Sequence, residues 1–372
     1  MKIVHFSDTH LGFNDLDILN SENINQREAD FYDAFVQVVK QIKEIQPDYI
    51  IHTGDLFHRA SPSNRAITFA LEQFKIIDAL GIPFIIIAGN HSTPRTNLSS
   101  PILRIFENFE NIHLSYEQQY KKIEFDDIVF HTLPHMNDET KAQKQIELCE
   151  TNIQKDKKNI MMMHCSVGAH YLMQEFGEWV YPKAKEYIFK MMDYVALGHW
   201  HGFGAVKKHT NVYYSGSTER TSLNDKRNTK GFISLSLDDA LEVNFKPINI
   251  RKIIQKEIAC QEYEESLKNL TTDDTDNAIV EVTLKNITPL QSIEIANQEI
   301  ISLFPNAMSV NIKREFLVET EEQELSDVEA LSLEEYFLQH IKEQSEEKEF
   351  ARLRSKVQEL FRDYEEAQDD TL

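Results

Sequence analysis

A chain of 372 residues exceeds the usual single domain, and a composition that is 41% hydrophobic and 27% charged fits an ordinary soluble globular protein and excludes a disordered or fibrous one. No apolar run approaches the roughly 20 residues that cross a bilayer, and MKIVHF at residues 1–6 leads straight into polar SDTH; no membrane span or signal peptide is expected, and the expected location is cytoplasmic. The net charge of −22 is unevenly spread, with −16 on residues 241–372 and −6 on residues 1–240, so acidity is mainly a property of the C-terminal part.

In chain order, KIVHF (2–6), DYIIH (48–52), PFIIIA (83–88), DIVFH (127–131), NIMMM (159–163) and YVAL (194–197) read as buried strands. Between the first two, Phe31, Ala34, Phe35, Val38, Val39, Ile42 and Ile45 recur at helical spacing until Pro47. A second helix is expected over about 64–80, stopped by Gly81 and Pro83. Strands separated by helices predict an α/β sandwich. From about residue 210, VYYSGS, GFISLSL and LEVNF suit antiparallel strands that close the same domain, taken as residues 1–248.

Residues 249–317 predict a small α+β domain, with AIVEVTLK and SVNIKREF as strands and IEIANQEIISLF as a helix. An acidic linker over 318–327 precedes a helical segment, 328–372, in which Phe350, Leu353, Val357, Leu360 and Tyr364 form an apolar stripe. Cys149, Cys165 and Cys260 have no paired spacing and are expected to be free thiols. The Met161–Met163 run continues the core pattern. Lys207-Lys208, Lys226-Arg227 and Lys230 either line a phosphate-facing rim or are solvated surface.

Polar residues with metal-binding chemistry follow the strands. SDTHLG supplies Asp8 and His10, GDLFH supplies Asp55 and His58, and GNH supplies Asn90 and His91. His164 ends NIMMMH, and GHWH supplies His199 and His201. Ligands of open α/β sheets bind beyond the carboxyl ends of the strands, where these groups should converge. Asp, Asn and His without Cys suit Mn²⁺, Fe²⁺ or Zn²⁺ better than Ca²⁺. Seven ligands (Asp8, His10, Asp55, Asn90, His164, His199 and His201) are too many for one ion. Two ions sharing a carboxylate resolve the count, with Asp55 as the natural bridge, and two such ions suit phosphoester hydrolysis. Trp200, between the two histidines, reads either as a base-stacking surface or as a wedge holding them apart.

The ordered set DTH, GD, GNH, MMMH and GHWH, over about the first 205 residues, resembles the calcineurin-type metallophosphoesterases. That resemblance implies that Asp8, His10, Asp55 and His201 hold one metal and Asp55, Asn90, His164 and His199 the other, while His91 stabilises the transition state or protonates the leaving alkoxide. SDTHLG, ADFYDAF, GDLFH and SGSTERTSLNDKRNTKGF (215–232) are similar to the SbcD-type DNA repair nucleases. This narrower resemblance implies Mn²⁺-dependent exonuclease and endonuclease activity in double-strand-break processing, with His58 positioning the DNA backbone. It also implies a capping domain, a homodimer, and a C-terminal helical segment that binds an SbcC-type coiled-coil ATPase. Ser92 follows GNH where the family commonly carries an acidic residue. The alternatives are the same centre acting on a small phosphodiester or phosphoprotein, and a recruiting module with a vestigial metal site; the completeness of the seven ligands speaks against the latter.

Overall fold

The computed structural model describes residues 1–93, 100–168, 179–222, 225, 229–317, 354, 356 and 357. The chain divides into two compact units, Met1–Phe316 and Leu317–Leu372. The expected linker at 318–327 and nearly all of the helical segment at 328–372 lie outside the described residues, as do Lys226 and Arg227.

Two six-stranded sheets build the larger part of the first unit. In one, β1 (Lys2–Phe6), β2 (Tyr49–His52), β3 (Phe84–Ile87) and β4 (Ile112–Ser115) run parallel. On the other side of β1, β11 (Gly231–Leu237) and β12 (Leu241–Pro247) add antiparallel, giving the order β12-β11-β1-β2-β3-β4. The second sheet contains β5 (Lys121–Glu124), β6 (Ile128–Leu133), β7 (Lys158–His164), β8 (Tyr194–Gly198), β9 (Gly204–Ala205) and β10 (Val212–Tyr214), in the order β5-β6-β7-β8-β10-β9.

Side-chain alternation sorts these apolar strands into layers. Ile3, Ile51 and Ile85 meet Phe130, Ile160, Met162 and Tyr194 between the sheets. Val4, Ile50 and Ile86 face outward onto Phe35 and Val38 of α1 (Gln26–Ile45) and Phe74 of α2 (Asn64–Asp78). Met161, Met163 and Val195 face outward onto Ile146 of α3 (Glu139–Thr151) and onto Phe189. The result is the expected α/β sandwich, layered α/β/β/α, whose central parallel strands are buried on both faces. Helix α1 starts where the Asn25 side chain accepts from the backbone N–H of Arg27 and Glu28, and it stops at Gln46 in the left-handed region, one residue before Pro47.

Several elements differ from expectation. Strand β10 pairs parallel with β8 and antiparallel only with the two-residue β9. The helix expected over IEIANQEIISLF is two short ones, α5 (Pro289–Glu294) and α6 (Asn297–Ser302), because Ile295 and Ala296 leave helical geometry between them. These helices and α4 (Tyr263–Asn269) accompany a third sheet of β13 (Ile253–Ala259), β14 (Ile279–Ile287) and β15 (Ser309–Phe316), all parallel, with Ile258, Val280, Val282, Leu284, Ile300 and Phe304 as its core. The three cysteines are free and buried.

Register decides where the site forms. Phe6 lies level with His52, His52 with Ile86, and His164 with Gly198, so the loops after β1, β2, β3, β7 and β8 leave the two sheets at one edge.

Candidate metal centre

Each expected site residue sits in a loop just past, or at the last residue of, one of those five strands, and their backbones are unusual. Asp8, His10, Asp55 and His199 all have positive φ, at 50°, 42°, 54° and 92°. A side chain pays about 1 to 2 kcal/mol to sit there, and such strain gathers at functional sites. The loops are cross-tied: Asp8 N–H donates to the Gly54 carbonyl and His10 N–H to the Asp55 carbonyl.

Two motif glycines clear space for the site itself. A Cβ on Gly89 would lie 2.2 Å from Asp55 Oδ1, and a Cβ on Gly54 would lie 2.2 Å from His164 Nδ1. The GD and GN pairs therefore admit a neighbouring ligand as well as making a turn.

The ligand atoms fall into overlapping groups. Those of Asp8, His10 and His201 lie within 4.8 Å of one another, as do those of Asp8, Asp55 and His164, and those of His10, His58 and His91. His10 Nε2 and His201 Nε2 are 3.1 Å apart, with His201 Nε2 3.9 Å from Asp8 Oδ1. Two nitrogens aimed at one point at that separation match two ligands of one ion with bonds of about 2.1 Å. On the other side, His164 Nε2 is 2.9 Å from Asn90 Oδ1 and 3.2 Å from Asp55 Oδ2, while His199 Nδ1 is 3.2 Å from Asn90 Oδ1. The two histidines of GHWH thus turn to different neighbours, His199 to Asn90 and His201 to His10. Asp8 belongs to both groups, which makes it a second carboxylate placed between them beside Asp55.

Electrostatics favour a cation here. Burial works to raise the Asp55 carboxyl, but His164, then His10 and His91, hold it well below the ordinary carboxylate range. Burial works to lower His164, yet Asp55 outweighs it and the imidazole is pushed up to about 9. His10 is held well below its usual value by burial and then by His201. His58 is lowered to about 4 by burial and then by His91. The buried His10 Nδ1 and His58 Nδ1 have no hydrogen-bond partner among the described residues. A metal ion binding there must displace the proton held between Asp55 and His164, so metal affinity should rise with pH.

Outer contacts fix the ligands. His164 Nδ1 donates to the Thr53 carbonyl at 2.7 Å, which presents Nε2 to the site. His91 N–H donates to Asp55 Oδ1 at 2.9 Å, and His91 Nδ1 to the His58 carbonyl at 2.6 Å, leaving Nε2 as the ring's available atom. His199 N–H donates to both oxygens of Asp8, at 3.2 and 3.1 Å.

Three further residues near the site carry no local signal in the sequence for that position. Thr221 Oγ1 lies 3.0 Å from His201 Nδ1. His135 is buried, with its ring 6.4 Å from that of His164. Lys230 is only 1% exposed; its ammonium donates to the His201 carbonyl at 2.7 Å and to Ser217 Oγ at 2.8 Å, and it pairs with Asp225 at 2.5 Å. Both readings of Lys230, as phosphate-facing rim and as solvated surface, are therefore corrected: it is an internal brace held by His201, Ser217 and Asp225. Lys207 and Lys208 are exposed.

Residues 1–203 match the sequence profile described as "Calcineurin-like phosphoesterase". The chain is similar to the DNA double-strand break repair protein Mre11 of Thermoplasma acidophilum, 29% identical over 80% of this chain and 73% of that protein. It is also similar to the DNA double-strand break repair protein Mre11 of Methanococcus maripaludis, 25% identical over 92% of this chain and 91% of that protein. Among solved structures it is similar to a dimetal phosphatase from Danio rerio, at 10% identity and a TM-score of 0.42 over 66% of this chain and 96% of that one.

Proposed function

We propose, from the premise that the chain belongs to the calcineurin-like phosphoesterase family, that it is a metal-dependent nuclease hydrolysing phosphodiester bonds of DNA in double-strand-break processing. The observation that carries this reading is the similarity to a DNA double-strand break repair protein along 92% of the chain, well past the phosphoesterase region.

Asp8, His10, Asp55 and His201 would hold one divalent ion and Asp55, Asn90, His164 and His199 the other, most simply Mn²⁺ given the mixed oxygen and imidazole donors. Bound there, two such ions supply an activated water and neutralise charge on the phosphoryl oxygens. The chain's own residues do the rest. Thr53 and Thr221 orient His164 and His201 through their remaining ring nitrogens, so the donors are preset. His91, anchored through Nδ1 to the His58 carbonyl, offers Nε2 to hold and hand over a proton to the leaving 3′-oxygen. His58, ring-stacked 5.2 Å from His91 and packed edge-on against Phe13, steadies the DNA backbone beside it.

The same reading includes residues 249–317 as a capping domain, a homodimer, and an SbcC-type ATPase docking on residues 328–365. Support for the ATPase contact is the acidic linker followed by an apolar stripe, which suits a tethered helix laid into a partner's groove.

Purified protein should degrade linear duplex DNA in Mn²⁺, and Asn90→Ala or Asp8→Ala should lower the rate on the order of 10²-fold or more. Wild-type rates in either variant would overturn the metal assignment. Hydrolysis of a chromogenic phosphodiester with none of DNA would favour a small-diester enzyme instead.

A further inference from the structure

Among the described residues, one group of close ligand atoms contains no carboxylate: that of His10, His58 and His91. Its three rings make a nearly equilateral triangle, with centroids 5.5 Å apart between His10 and His58, 5.0 Å between His10 and His91, and 5.2 Å between His58 and His91. Three imidazoles so placed are either separate hydrogen-bonding groups or a ligand set, and their hydrogen bonds decide between the two.

His10 Nδ1 and His58 Nδ1 are buried and have no hydrogen-bond partner among the described residues. A polar atom kept from water without a partner calls for an explanation, and a cation is one. His91 Nδ1 donates to the His58 carbonyl at 2.6 Å, so Nε2 carries the lone pair of the neutral ring. Phe13, itself buried, packs edge-on against His58 at 4.9 Å and supplies an apolar wall. His58 and His91 are each half-buried, which leaves the cluster open to an ion from solvent.

Ligand chemistry selects the metal. Imidazole suits Zn²⁺ while carboxylate suits Mn²⁺, so the three histidines differ in preference from the groups that contain Asp8 and Asp55. Three histidines with a fourth position free are a recurrent zinc arrangement. Their nitrogens, within 4.8 Å of one another, need to draw in to about 3.4 Å, the separation set by tetrahedral bonds of about 2.1 Å. Small side-chain rotations of His58 and His91 supply that shift without moving the backbone.

Resting on the nuclease reading above for its consequence, we infer that His10, His58 and His91 form a regulatory Zn²⁺ site, occupied at the expense of activity. The ion takes His91 Nε2, the atom that would hold the proton for the leaving 3′-oxygen, and draws His58 away from the DNA backbone. His10 belongs also to the group of Asp8 and His201, so zinc here competes with the ion held there.

The test is to dialyse Mn²⁺-saturated protein against chelator-buffered Zn²⁺ and to count bound zinc and manganese by mass spectrometry. An outer-sphere partner is worth 10- to 100-fold in metal affinity, so losing a ligand should cost on the order of 10²-fold. His58→Gln and His91→Gln should each need that much more free Zn²⁺ to take up the first equivalent. Both should keep wild-type Mn²⁺ affinity and melting temperature, since neither side chain is among the seven ligands of the dinuclear centre. With linear duplex DNA and saturating Mn²⁺, wild type should lose activity over the same zinc range in which it takes up that equivalent. Uptake by either variant at the wild-type zinc concentration would overturn the inference, as would wild-type protein that binds the zinc and cuts at an unchanged rate. Zinc uptake that depends on both histidines, in a protein that cuts no DNA under any metal, would leave the zinc site standing and sink the nuclease reading.

Discussion

Thr221 and Gly89 show how single residues set this site without touching a substrate. Gly89 gives Asp55 the space a Cβ would occupy, and Thr221 supplies the oxygen beside His201 Nδ1. If that oxygen fixes which ring nitrogen faces the site, Thr221→Val should weaken metal binding at the Asp8–His10–His201 group about tenfold or more, and Thr221→Ser should restore it. Calorimetric titration of Mn²⁺ into metal-free protein reads this directly; identical affinities for Val and Ser would leave the hydroxyl without a role. The convergence of the candidate ligands was legible, since Asp8, His10, Asp55, Asn90, His164, His199 and His201 each follow or end an apolar run. Thr221 and Lys230 were not, because nothing near them in sequence says that they meet His201 across 20 and 29 residues.

Among the elements, helix α1 does more than cover the first sheet. At its first turns Arg27 donates to Asp30 at 2.5 Å and to the Arg220 carbonyl at 2.8 Å, and lies 3.3 Å from Glu219. Asp30 also accepts both arms of Arg251, at 2.7 and 2.6 Å, and Arg251 donates onward to the Asn277 carbonyl at 2.6 Å. One buried carboxylate thus joins α1, the 219–220 turn and the approach to the third sheet. Removing it strands two guanidinium groups in a largely buried place, so Asp30→Ala should lower the unfolding free energy by about 3 kcal/mol. Denaturant unfolding checks this, and a loss under about 1 kcal/mol would mean that water replaces the carboxylate.

Most strands were legible because parallel strands covered on both faces are apolar throughout and short. The split of the helix expected over 293–304 and the parallel pairing of β10 were not. A helical period survives a two-residue interruption, and an alternating run says nothing about the direction of its neighbour.

At the scale of the whole molecule, the two sheets are also linked by polar contacts through their interior. His5 of β1 bonds Tyr194 of β8 at 2.9 Å and Thr53 at 3.0 Å, and burial, then His52, lowers its pKa to about 3. Unfolded, it titrates near 6.5. Between about 6.5 and 3 the unfolded chain binds a proton that the folded protein refuses, so His5 subtracts stability as pH falls through that window and has no effect above it. The slope approaches about 1.4 kcal/mol per pH unit. Unfolding free energies at pH 7 and 5 should therefore differ less in His5→Gln than in wild type; equal differences would show that His5 takes up its proton while folded.

The order and chemical types of the candidate ligands, and the α/β layering that puts them past strand ends, follow from the sequence alone, because apolar periodicity and residue chemistry are local properties. Only the tertiary structure decides which ligands meet. His10 faces His201 and Asn90 faces His164 and His199 because the two sheets pack through Ile3, Ile51, Phe130 and Met162 and bring their strand ends to one edge. The same packing buries Lys230. The ligand contacts join residues 74 to 191 positions apart and Lys230 meets His201 across 29, separations that no short window of sequence contains.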